Sequence, residues 1–243
     1  MGNKKLAKLT PGSLKKAERD LLAYSGLTTD EYEVRKVFVN EQETIFMTTI
    51  LVGNPESPPL VLVHGFGGSG ALYYKVMKGL AENFYVIVID LVGMGSSSRP
   101  AWQMIQNGEE ADEYFMNAIE QWRINMGDLT NFFIAAHSYG GYLFGTYAAL
   151  YPQHVRKLLL LSPLGVKMAP PNYKIHQMRF RRGRKPPRWA VAFAKTLWGK
   201  VSPLSLFQLR TENKVRQNLN RYIRRAQPVN SPQEQAALAE YLF

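Results

Sequence analysis

The chain has 243 residues, of which 46% are hydrophobic and 20% charged, and no cysteine. That balance excludes a disordered chain and leaves enough length for a core; the absent cysteine excludes disulfides, thiolate metal sites and cysteine nucleophiles. The net charge of +11 is lopsided, because residues 167–243 hold 16 Lys and Arg against Glu212, Glu234 and Glu240, whereas residues 1–166 sum to −2.

In chain order, Leu14, Ala17, Leu21 and Leu22 share one face of a helix opened by Ser13 as N-cap. Val34–Val39 and Thr44–Val52 read as β-rich strands around a polar turn at Asn40-Glu41-Gln42. Pro59–Val63 is a short apolar strand that runs into His64-Gly65-Phe66-Gly67-Gly68, followed by a helix over 71–82. The strand Tyr85–Ile89 ends at Asp90 and the Gly93/Gly95 turn; Phe115, Ile119, Trp122 and Met126 then recur at helical spacing, which predicts a helix over 112–127. The strand Asn131–Ala136 leads into His137-Ser138-Tyr139-Gly140-Gly141 and a further helix, and Val155–Leu161 is a strand ending at Ser162-Pro163. From residue 59 this alternation predicts an α/β fold, a mostly parallel sheet covered by helices with functional loops at the C-terminal strand ends.

The division expected is a core over 1–166 and a basic helical cap over 167–243. Arg179, Arg181, Arg182, Arg184, Lys185 and Arg188, followed by the aromatic-apolar run from Trp189 to Trp198, suit an anionic membrane face. A nuclear address, a nucleic-acid patch or a merely solvated face are the competing readings of that cluster. No run reaches the 18 apolar residues of a spanning helix, and Met1–Lys8 lacks a signal-peptide core. Met1-Gly2 suggests myristoylation, but Leu6 stands where that pattern wants Ser or Thr. The expectation is an intracellular protein, with no metal and no cofactor.

The sharpest chemical feature is Ala136-His137-Ser138-Tyr139-Gly140 between a strand and a helix. It is a G-x-S-x-G elbow with Ala at the first position, and the turn demands small residues on both sides of the serine. Such a turn lifts the Ser138 hydroxyl above the sheet and aims helix N–H groups at a developing oxyanion. His64-Gly65-Phe66-Gly67-Gly68 fits the upstream loop that supplies the second N–H. Ser138 is thus the candidate nucleophile, and the Phe66 and Tyr139 amides are the candidate oxyanion donors. Gly65, Gly67, His137 and Gly140 support them, and His64 reads as a structural residue bonded within its own loop. Asp90 with Gly93, Gly95 and Ser98 lacks the ending of a phosphate loop and reads as a structural turn.

These motifs resemble the α/β-hydrolase superfamily, and within it the family of N-acyl-phospholipid lipases and lipid-droplet lipase co-activators. The resemblance rests on Leu60–Gly68, Ile89–Pro100, Glu120-Gln121-Trp122-Arg123, His137–Gly141 and Ser162-Pro163-Leu164-Gly165, and extends to the Trp189 region and Gln227–Glu234. It implies a serine hydrolase of acyl-glycerol or phospholipid esters, with lysophosphatidic acid acyl transfer as a further activity. The other implied reading is a catalytically inactive partner of a lipase at a lipid surface, and either reading implies a cytoplasmic protein peripheral on anionic membranes or lipid droplets. Ser138 stands where the co-activator branch carries Asn, which favours the hydrolase branch. The branch's Trp-rich N-terminus is absent, since no Trp precedes Trp102, and so is its His motif with Asp five positions on.

The triad order in this fold is Ser, then Asp or Glu, then His. After Ser138 there is no Asp, and His154 and His176 do not follow a strand as the fold requires. The chain is therefore expected to be a fragment lacking the last two strands, with a shortened paralogue bearing an open sheet edge as the alternative. Ser231-Pro232-Gln233-Glu234 reads as a capping box that opens a final helix.

Overall fold

A computed structural model describes residues 11–100, 107–165 and 231–242, together with 217, 221 and 223. Six strands form one sheet: β1 (Tyr32–Phe38), β2 (Phe46–Val52), β3 (Pro59–Val63), β4 (Tyr85–Ile89), β5 (Phe132–His137) and β6 (Val155–Leu161). Their spatial order is β1-β2-β4-β3-β5-β6, antiparallel from β1 to β4 and parallel thereafter. The helices are α1 (Pro11–Leu22), α2 (Tyr74–Ala81), α3 (Gly108–Asn125), α4 (Tyr139–Leu150) and α5 (Pro232–Leu242). No helix among the described residues is long and apolar enough to cross a membrane.

Where the ends differ from expectation, local chemistry explains the difference. α1 starts at Pro11, so Ser13 lies inside the helix and is not its N-cap; proline's fixed φ suits a first helical turn. The hairpin turn is longer than Asn40-Glu41-Gln42 because Asn40 Oδ1 accepts the amides of Thr44 and Ile45, at 3.1 and 2.7 Å. One 3₁₀ turn, Gly70–Tyr73, precedes α2. α3 starts four residues early because Asn107 caps it, accepting from Glu110 N at 2.9 Å.

Register fixes the core. Val61 lies between Ile87 of β4 and Ile134 of β5, and all three are fully buried. Trp122 of α3 is also fully buried and donates Nε1–H to Thr49 Oγ1 of β2 at 3.0 Å, which satisfies both polar atoms inside the apolar layer. Glu120 accepts Arg123 in a bidentate pair at 3.0 and 2.8 Å and the Tyr147 hydroxyl at 2.6 Å, bracing α3 against α4. Among the described residues β6 pairs only with β5, and Leu159, Leu160 and Leu161 are exposed there.

The compact unit that holds the sheet comprises Leu9–Val166 with Val229–Leu242. α5, which sequence reasoning groups with the cap, packs in this unit instead. Its Glu234 accepts the Tyr74 hydroxyl at 2.6 Å and Lys75 Nζ at 2.9 Å, and Ser231 Oγ caps it at Glu234 N.

Candidate active site

Three loops meet where the parallel strands end, because Val63 pairs with both Ile89 and Ala136, and His137 with Leu161. The elbow lies on the third. Ser138 sits between the last residue of β5 and the first of α4 with φ 52° and ψ −113°, a left-handed conformation that costs a non-glycine residue about 1–3 kcal/mol. The strain is held by neighbours: Ser138 N–H donates to Leu161 O at 3.0 Å, and Ser138 O accepts from Leu164 N at 2.9 Å and Tyr142 N at 3.1 Å. Ala136 is fully buried, and Gly140 lies so near the His64 carbonyl that a β-carbon would overlap it. The small residues the motif demands are therefore a matter of contact.

The loop after β3 abuts this turn. A β-carbon on Gly65 would stand 2.9 Å from Ser138 Cβ, 3.0 Å from His137 Nδ1 and 3.4 Å from Ser138 Oγ. Gly67 takes φ 70°, and Gly68 N–H closes a turn onto Gly65 O at 3.0 Å. The structure thus brings Gly65, Phe66, Gly67, His137, Ser138, Tyr139 and Gly140 together. The first-turn N–H groups of α4 start at Tyr139, beside the serine, and this helix end favours negative charge.

Aromatic rings flank the serine. Phe66, 55% exposed, meets Tyr139 edge-on at 6.2 Å; Tyr139 meets Phe115 at 5.9 Å and stacks on Tyr142 at 6.1 Å. The Tyr142 hydroxyl donates to Asp112 at 2.5 Å. Burial, with Asp112 adding to it, pushes the Tyr139 phenol up to about 12, so it stays neutral. Phe115 reads as core from sequence and Asp112 and Tyr142 carry no motif; the signal available was the i, i+3 spacing of Asp112 and Phe115 on one face of α3.

The histidines differ sharply. His64 lies 3.9 Å from Asp90 and mimics a base with its acid. Its ring is fully used, however: Nδ1–H donates to Gly65 O at 2.7 Å, and Nε2 accepts from Leu91 N at 3.1 Å. Burial holds it down at about 4, so it is a neutral loop brace. His154 lies at the opposite end of the sheet, where its carbonyl accepts from Phe132 N. β5 separates it from Ser138 by about 20 Å at ~3.3 Å per residue. His137 is exposed beside the serine. His176 and the basic-aromatic set Arg179, Arg181, Arg182, Arg184, Lys185, Arg188, Trp189 and Trp198 lie outside the described residues.

Asp90 confirms the structural reading of the Gly93/Gly95 turn. Its carboxylate accepts from Gly70 N at 2.5 Å and Ser96 N at 2.6 Å, with Gly95 packed against it at φ 51°.

Residues 58–227 match the family model for the alpha/beta hydrolase fold. A (lyso)-N-acylphosphatidylethanolamine lipase from Homo sapiens is 33% identical over 180 residues, 74% of this chain and 49% of that protein. A 1-acylglycerol-3-phosphate O-acyltransferase from Arabidopsis thaliana is 37% identical over 124 residues, 51% of this chain and 29% of that protein. The chain spans about half the length, or less, of these curated relatives. Among solved structures, a bacterial membrane phospholipase A superposes with a TM-score of 0.59 at 20% identity, over 96% of this chain and 62% of the other, which is a likeness of fold.

Proposed function

The chain belongs to the α/β-hydrolase family, and from that premise we propose that it carries the nucleophile of a serine hydrolase acting on acyl-glycerol or phospholipid esters. Ser138 Oγ attacks the acyl carbonyl carbon as its proton passes to a base. The carbonyl oxygen takes up negative charge, and the Phe66 and Tyr139 N–H groups donate to it. The observation that carries this reading is the strained Ser138, with φ 52° at a strand-to-helix turn whose neighbour Gly140 lies under the carbonyl of His64. Strain of that kind, held by packing on every side, marks a residue placed for chemistry.

The lipid part of the proposal draws on the relatives, whose names specify N-acylphosphatidylethanolamine and 1-acylglycerol-3-phosphate as what they act on. Phe66, Tyr139 and Phe115 offer an acyl chain an apolar wall beside the serine. The basic excess of residues 167–243 suits an anionic lipid surface. The base and acid are assigned to the part of the relatives' length that this chain does not span. Hydrolysis and acyl transfer share the acyl-serine step and differ in whether water or a lysophospholipid accepts the acyl group.

A fluorophosphonate probe should label Ser138, read by peptide mass spectrometry. Ser138→Ala in the protein with its triad complete should lose ester turnover by at least about a thousand-fold with its circular dichroism unchanged. Turnover retained in that variant would sink the assignment.

One observation favours a second reading. Among the described residues no imidazole is paired with an acid so as to activate Ser138: both nitrogens of His64 are engaged by Gly65 O and Leu91 N, His154 is at the far end of β5, and His137, exposed beside the serine, meets no carboxylate. A non-catalytic partner of a lipase at a lipid surface fits that arrangement. It predicts no probe labelling together with saturable binding to anionic vesicles.

A further inference from the structure

Loop 64–70 is held from behind by a carboxylate pair that the proposed chemistry does not use. Asp90 accepts Gly70 N–H on one oxygen and Ser96 N–H on the other. Ser96 then turns its hydroxyl the opposite way and donates it to Glu18 Oε2 of α1. A single serine therefore bridges two acids, one six positions and the other 78 positions away in the chain, with its N–H on Asp90 and its O–H on Glu18. Both acids are buried, Asp90 at 4% and Glu18 at 5% exposure.

Every element packed around the pair contributes a named group. From α5 comes Tyr241, whose buried hydroxyl lies beside Ser69 and is pushed well above the usual phenol range by burial, Asp90 and Glu18, so it stays protonated. From α1 comes Lys15, and from the turn comes Arg99, which donates to Gly95 O at 2.8 Å and Ser97 O at 3.4 Å. From the loop after β3 comes His64, which is neutral. Burial raises Glu18 to about 7 and Asp90 to about 6. Two carboxylates sharing one desolvated site resist being ionised together.

We propose that Asp90 and Glu18 are positioning residues for loop 64–70, and that one proton shared between them keeps α1 docked on the Gly93–Ser98 turn and that turn's carboxylate on Gly70. The inference rests on the reading above for its meaning, since that loop carries the Phe66 amide assigned to the oxyanion. With the proton present, the Ser96 hydroxyl bonds a neutral acid and Asp90 alone carries charge. When the proton leaves, two negative charges face each other across Ser96, and the bridge is the joint that gives.

The test is amide NMR and hydrogen exchange on the full 243-residue chain between pH 5 and 8.5. The Gly70 and Ser96 amide shifts should follow Asp90's own step near 6 and, in addition, share a second midpoint near 7 that belongs to Glu18; their exchange protection should fall at least ten-fold between pH 6 and 8. In Glu18→Gln, which keeps the shape without the second charge, that midpoint and that loss should vanish. Ser96→Ala keeps the N–H on Asp90 and removes the bridge, so it gives a second route to the same loss of coupling if Glu18→Gln folds poorly. Amides that titrate alike in wild type and both variants would overturn the proposal. Fluorophosphonate labelling of Ser138, run in parallel on the protein with its triad complete, should carry the same inflection in wild type and lose it in Glu18→Gln. Absent labelling with the amide titration intact would defeat the hydrolase reading and leave the positioning role standing.

Discussion

The carbonyl oxygen of His64 rests on Gly140, in the place a β-carbon would occupy. The contact ties the loop after β3 to the first turn of α4, and so fixes the spacing between the two amides assigned to the oxyanion. Val63 Cγ1 closes the same space at 2.7 Å, and neither neighbour is the far end of a flexible side chain. Gly140→Ala should destabilise the chain by about 1–3 kcal/mol, the range for overpacking a close-packed site. It should also abolish probe labelling of Ser138, because the loop and helix are pushed apart. A urea midpoint and a labelling rate check both, and an unchanged rate would show that the contact sets no geometry the chemistry needs.

Ser138 itself should be a site where stability and chemistry conflict. Its φ of 52° and ψ of −113° lie where glycine is at ease and a residue with Cβ is not. Ser138→Gly removes the strain and the hydroxyl together. The unfolded chain gains freedom in exchange, an opposing term of about 0.5–1 kcal/mol. The net expectation is a gain of about 1 kcal/mol in urea unfolding, with the slope unchanged and labelling lost. A variant less stable than wild type would mean that the strain is small.

What the amino-acid sequence discloses follows from how local each cause is. β3, β4 and β6 were legible to the residue: the first two are apolar runs closed by His64-Gly65 and Asp90, and β6 is a leucine-rich run closed by Ser162-Pro163. The elbow was legible because its constraint lies within five residues. The helix starts at Pro11 and Gly108 were misplaced by about one turn, because capping competes among neighbouring Ser, Asn and Pro. The bridge from Glu18 through Ser96 to Asp90 was illegible, as was the Trp122 bond to Thr49: each joins residues more than 70 positions apart, and no period or motif encodes such a pairing. The same holds for α5, whose attachment to the core depends on Glu234 meeting Tyr74 and Lys75.

His64 gives a pH signature that separates it from the acids around it. Its folded-state value of about 4 lies below the ordinary 6.5, because burial disfavours the charged ring more than the Gly65 carbonyl favours it. Above pH 6.5 the ring is neutral folded and unfolded, and its contribution is present in full. As pH falls from 6.5 towards 4, the unfolded chain takes up a proton that the folded chain refuses, so that contribution is lost; below 4 the loss levels off. The total is about 3 kcal/mol, at 1.36 kcal/mol per pH unit. Glu18 and Asp90, both raised, run the other way and lose stability as pH rises through about 7 and about 6, so the wild-type curve alone mixes the three. His64→Gln separates them, since Gln offers Leu91 N–H an acceptor without titrating and leaves both acids in place. The stability difference between wild type and His64→Gln should therefore shrink by about 3 kcal/mol between pH 6.5 and 4 and stay constant above 6.5. A difference that holds steady through that interval would mean that the folded ring titrates normally, and that the two bonds to Gly65 and Leu91 do not keep it neutral.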